Sequence, residues 1–174
     1  MNLSRFHDVI NETIDRLEKI DPTTINGLDT GEKFQSYVAD IIKAVVQSVD
    51  PTADVKNRTG KEFPDIVIEC PGPNGKIIKY GIEVKSSKAQ SPGYEITGNS
   101  INESTRDKEI LEIQLLFGKT QLQKPEFKAG VYYSCVKEIK TTHYPRYIID
   151  MSISSTTNAD IFSKMGTTYE KFNT

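Results

Sequence analysis

A chain of 174 residues, 36% apolar and 26% charged with the two signs interspersed, has length and apolar content for one packed domain and too little length for two ordinary ones. That mixture excludes a disordered chain and a coiled coil. A formal charge of −2 excludes a protein that coats nucleic acid through basicity alone, so any nucleic-acid contact has to come from local patches.

In chain order, Leu3, Phe6, Val9, Ile10, Ile14 and Leu17 recur at helical spacing, and Asp21-Pro22 closes the run. Thr30 is a natural N-cap for a second helix, whose stripe of Phe34, Tyr37, Val38, Ile41, Ile42, Val45 and Val46 runs to Asp50-Pro51. Glu32 falls in its first turn. Residues 53–58 predict a short strand, and 63–69 and 77–85 predict two better ones, joined as an antiparallel hairpin by the turn 70–75. Residues 86–104 are polar with two glycines and a proline, which predicts a long functional loop. Ile110, Leu111, Ile113, Leu115, Leu116 and Phe117 predict a third, buried helix over 105–118 with Gly118 as its stop. Strands over 127–136 and 147–153 and a final helix over 158–172 complete the order α, α, β, β, β, α, β, β, α. The fold class expected is therefore α/β or α+β, a mixed central sheet flanked by helices.

Cys70 and Cys135 are far apart and belong to no metal-ligand spacing, which fits a reducing compartment and buried thiols. Residues 1–19 carry charges throughout and no stretch reaches 18 apolar residues, so the expected location is cytoplasmic, with no membrane partner.

Chemistry concentrates where two strands end. Pro64-Asp65 opens one arm of the hairpin and Glu83-Val84-Lys85 closes the other. Side chains alternate along a strand, so Glu83 and Lys85 point to one face. Two carboxylates and a main-chain carbonyl suit a hard cation, and an adjacent ammonium suits the activation of water or the neutralisation of a phosphate in phosphodiester hydrolysis. The expected metal ligands are Asp65, Glu83 and the carbonyl of Val84. Lys85 is the expected water-activating group.

With that motif and the element order, the chain resembles the PD-(D/E)XK nucleases, whose shared core is a helix, three strands, a helix and a further strand. Pro64 and Asp65 take the PD position and Glu83, Val84 and Lys85 the (D/E)XK position, with 17 residues between the acids. The resemblance spans roughly residues 30–136, leaving 1–29 as an N-terminal helical extension and 137–174 as a C-terminal strand and helix of one domain. It implies a restriction endonuclease-like αβββαβ core and Mg²⁺ as cofactor, replaceable by Mn²⁺, with no organic cofactor. Glu32, on the helix before the first core strand, matches the place of the family's auxiliary glutamate and joins the catalytic set. The sequence departs from the RecB-like branch, because Gln114 is followed at position 118 by glycine and not by tyrosine.

Basic residues around the motif, Lys56, Arg58, Lys61, Lys88 and Arg106, are candidates for phosphate contact, and Asn99, Ser100, Asn102 and Glu103 for reading base edges. Among these the DNA-binding assignments are Arg58, Lys61, Lys88, Asn99 and Arg106. The reading is a site-specific double-stranded DNA endonuclease of the type II restriction kind, acting as a homodimer because both strands of a duplex are cut. The alternatives are a structure-specific nuclease such as a Holliday junction resolvase, and a non-enzymatic DNA-binding or scaffold module with the same fold.

Overall fold

The computed structural model describes residues 1–58, 60, 62–88, 93–100, 109–141, 145–153 and 160–172. Asn2 caps α1 (Leu3–Glu18) by accepting from the Arg5 N–H at 3.0 Å. Asp21 caps the short α2 (Pro22–Asn26), and Thr30 caps α3 (Gly31–Val49) as its sequence position predicts, Oγ1 accepting from the Lys33 N–H at 3.1 Å. Among the described residues eight strands follow: β1 (Asp54–Asn57), β2 (Ile66–Pro71), β3 (Ile77–Ser87), β4 (Glu95–Ser100), β5 (Ile110–Lys119), β6 (Glu126–Val131), β7 (Val136–Lys140) and β8 (Arg146–Asp150). Two short helices, α4 (Ile161–Lys164) and α5 (Tyr169–Phe172), come last.

The strands form two sheets. The larger is mixed, in the order β1-β2-β3-β5-β6, with β3 and β5 parallel and every other pair antiparallel; the smaller is antiparallel, in the order β4-β8-β7. Alternation along the strands gives the large sheet two apolar faces. Ile66, Ile68, Tyr80, Ile82, Val84 and Leu116 pack against α1 and α3, where Tyr80 stacks on Phe6 with ring centroids 4.6 Å apart. Val67, Ile113, Leu115 and Phe117 face the other way, onto Tyr132, Tyr147, Ile149 and Phe162.

The hairpin of β2 and β3 forms as expected, with Ile66 opposite Ile82. The expected helix over 105–118 does not: its apolar run is β5, the strand between β3 and β6, while 101–108 lie outside the described residues. A strand buried on both faces shows a continuous apolar run instead of alternation, and such a run looks like a buried helix. Gly118 is no helix stop either. It sits inside β5 where Phe34 crosses the strand, and a Cβ there would come within 2.6 Å of Phe34 Cζ.

Helices α1 and α3 flank the mixed sheet on one face, and the small sheet lies against the other. The span expected to be one loop contains β4, and the expected strand 127–136 divides into β6, a 3-10 turn over Tyr132–Cys135 and the start of β7. The expected final helix is broken into α4 and α5 around Gly166, whose φ of 66° favours glycine. Cys70 and Cys135 are free and buried. Among the described residues no helix is long and apolar enough to cross a membrane.

Candidate functional site

The pairing of β2 with β3 stops at Ile66, so Asp65 stands just outside the ladder, beside Glu83. Asp65, Glu83 and Lys85 share a face by strand alternation, and it is the face turned toward the small sheet. The Val84 N–H donates to Asp65 Oδ2 at 2.8 Å, and the Asp65 N–H donates to Glu83 Oε2 at 3.3 Å. Lys85 Nζ donates to Glu83 Oε1. The Glu83 side chain is 1% exposed and that of Lys85 25%, so the ammonium is the solvent-facing member of the group. The three residues singled out from the sequence therefore meet.

Local packing fixes this corner. Gly81 lies two residues before Glu83, and a Cβ on it would come within 2.5 Å of Pro64 Cγ and 3.1 Å of Ile113 Cγ1. Only glycine lets Pro64 press onto β3 and bring Asp65 to its neighbour. Arg58 closes the other side: its N–H donates to the Asp65 carbonyl at 2.7 Å and its Nη1 to the Phe63 carbonyl at 3.3 Å. Gln35 of α3 donates to Asn57 Oδ1 and to the Arg58 carbonyl, both at 2.9 Å, tying the helix to this turn.

The electrostatics follow from burial. Removal from water pushes the Glu83 carboxyl up to about 7, with the Lys85 ammonium opposing and the Asp65 charge adding to the rise. Asp65 is raised too: burial outweighs the Lys85 charge and the Val84 N–H that favour its ionised form. Folded Glu83 holds its proton where the unfolded chain, titrating near the ordinary 4.5, has released it. The sign is then fixed. The buried Glu83 carboxyl therefore takes stability from the metal-free protein as pH rises from 4.5 toward 7. Replacing Glu83 by glutamine removes a penalty on the order of 3 kcal/mol at pH 8 and changes little at pH 4. Urea unfolding of the metal-free proteins checks this, and an equal gain at both pH values would deny that burial of charge is the cause.

The donor set fits a divalent cation. Two carboxyls in hydrogen-bonding range inside a buried corner, each with its proton affinity raised, are a poor arrangement for two negative charges and a good one for charges sharing a cation. N–H and C=O of a strand residue leave on the same edge, so the Val84 carbonyl points where its N–H does, toward Asp65. The residue opposite it in the extended register is Pro64, which has no N–H to offer. Among the described residues no third Asp, Glu, His or Cys completes a ligand cluster. Mg²⁺ requires none, since it keeps several waters and takes one or two carboxylates together with substrate phosphate.

The other expected residues fare differently. Glu32 is exposed in the first turn of α3, and α3 covers the face opposite to the one that carries Glu83 and Lys85. The structure does not bring it into the cluster. Arg58 is at the site, whereas Lys88 lies exposed beyond β3, its charge felt by Asp29 at the start of α3. Lys56 pairs with Glu69 at 2.5 Å. Lys61, Arg106, Asn102 and Glu103 lie outside the described residues. Asn99, expected to read bases, donates from Nδ2 to Glu83 Oε1 at 3.0 Å. Gly81 and Gln35 are site residues that sequence reasoning missed, as it missed this contact of Asn99; Ile96-Thr97 inside the polar run was the only local sign of the strand that delivers it.

A separate cavity of ≈ 440 Å³ between α1 and β6 is lined by His7, Gln114, Ser134 and Cys135 among others. His7 Nε2 meets Glu112 Oε1 at 2.6 Å, but Ser134 Oγ donates to the Val131 carbonyl and burial pushes the Cys135 thiol up to about 11, so neither is an activated nucleophile. The carboxylate pair with its lysine is the stronger chemical site. No protein-family model matches this chain, and no curated protein resembles it closely enough to be matched.

Proposed function

We propose that this chain is a Mg²⁺-dependent DNA endonuclease of the PD-(D/E)XK kind, cutting both strands of a specific site as type II restriction enzymes do. The observation that carries the reading is the meeting of Asp65, Glu83 and Lys85 in one corner, with the Lys85 ammonium on its solvent side. The antiparallel hairpin followed by a parallel β3–β5 pair supports a restriction endonuclease-like core. The family's helix between those two strands has no counterpart among the described residues, where β4 occupies part of the connection.

Asp65, Glu83 and the Val84 carbonyl would hold Mg²⁺, or Mn²⁺ in its place, which would supply positive charge beside a scissile phosphate and lower the pKa of bound water. Lys85 holds the attacking water or a phosphate oxygen from the solvent side and offsets charge gathered there during displacement. Arg58 holds Asp65 by its backbone and adds positive charge at the entrance. A homodimer presenting two such corners would cut both strands of duplex DNA.

Incubation with Mg²⁺ and either plasmid or a four-way junction tests the reading. Discrete plasmid fragments are expected. Cleavage of the junction alone would replace restriction by junction resolution, and no product from either, with no metal bound, would leave a binding module.

A further inference from the structure

Asn99 belongs to β4 in the small sheet, yet its side chain ends on a carboxylate of the large one. Its amide Nδ2 donates to Glu83 Oε1 at 3.0 Å, the same oxygen that Lys85 binds, while Glu83 Oε2 is turned to the Asp65 N–H. Asn99 is itself held: its main-chain N–H donates to the hydroxyl of Tyr132, which is 1% exposed. The Tyr132 ring packs edge-on against Phe63 with centroids 5.1 Å apart, and Phe63 leads directly into Pro64-Asp65. The two acids are thus tied to one aromatic anchor by separate routes.

We infer that Asn99 is the positioning residue for Glu83, fixing which carboxylate oxygen faces Asp65 and hence where a divalent cation is held. The inference rests on the nuclease reading of the site. A neutral donor suits this role, because it orients an anion without adding a charge that a cation would have to displace. Asn99 acts through Glu83 and touches no DNA in doing so.

Calorimetric titration with Mn²⁺ alone, together with cleavage kinetics, separates the alternatives. Asn99→Ala is expected to weaken Mn²⁺ binding and lower kcat, each about 10–100-fold, with KM for DNA nearly unchanged. Asn99→Leu, of similar size with neither donor nor charge, should lose at least as much, and Tyr132→Phe should shift both quantities the same way by less. Circular dichroism confirms that each variant is folded, and the leucine variant serves if alanine disturbs β4. Unchanged Mn²⁺ affinity and kcat with a raised KM or altered site preference would overturn the inference in favour of base contact. A wild-type protein that neither binds Mn²⁺ nor cuts DNA would overturn the nuclease reading and this inference together, whereas active wild type with matching variants removes only the inference.

Discussion

Lys85→Ala is expected to reduce Mg²⁺-dependent DNA cleavage by about 10³-fold or more, the scale seen when a general acid–base group or a preorganised charge donor is removed from a transition state. The ammonium is the solvent-facing cation of the corner, and Glu83, 1% exposed, cannot reach outward to replace it. Loss of the charge also removes what holds down the carboxyl proton affinities, so Glu83 and Asp65 titrate higher still in the variant. The fold should survive at pH 7, because the buried acids can stay protonated, and circular dichroism should match that of the wild type. Lys85→Arg keeps the charge but replaces a point donor with a wide planar fork, so only partial activity is expected. Cleavage by the alanine variant at the parental rate would remove Lys85 from the mechanism and the PD-(D/E)XK assignment with it.

Gly81→Ala is the second large effect, and it changes no charge. The added methyl would meet Pro64 Cγ at 2.5 Å and Ile113 Cγ1 at 3.1 Å, both in places where the chain cannot give way freely. Overpacking of this kind costs about 1–3 kcal/mol. The larger consequence is positional, since Pro64 must retreat and carries Asp65 with it. A displacement near 1 Å at a reacting group can cost about 10²-fold in rate. Cleavage should therefore fall far more than stability, with Mn²⁺ affinity falling in parallel. A variant that melts early but binds Mn²⁺ as tightly as the parent would show that Pro64 moves independently of Asp65.

The residues of the site were legible because their signal is local. Pro64-Asp65 and Glu83-Val84-Lys85 sit at the ends of two apolar runs joined by a turn, and a hairpin brings such ends together whatever surrounds it. α1 and α3 were legible for the same reason, from Thr30 as a cap and from stripes such as Phe34, Val38, Ile42 and Val45. β5 was not, because Ile113 to Phe117 are covered on both faces by elements remote in sequence, and burial on both sides erases the period that distinguishes strand from helix. Glu32 occupies the expected turn of the expected helix, but which face of the sheet a helix covers is not written in its own residues. Asn99 illustrates the same limit. A polar residue in a polar run carries no mark of a carboxylate contributed by another sheet.

The large sheet also acts as a partition. Its helix-side apolar cluster, from Phe6 to Val46 together with Ile66, Ile82 and Leu116, holds much of the buried mass and none of the ionisable groups of the corner. Substitutions on the apolar stripes of α1 and α3 and substitutions at Asp65, Glu83 or Lys85 lie on opposite sides of the sheet, so their free energies should add with little coupling. A lineage carrying this chain could therefore drift along the apolar stripes of α1 and α3, Gln35 excepted, or be thermostabilised there in the laboratory, while the carboxylate corner stayed as it is.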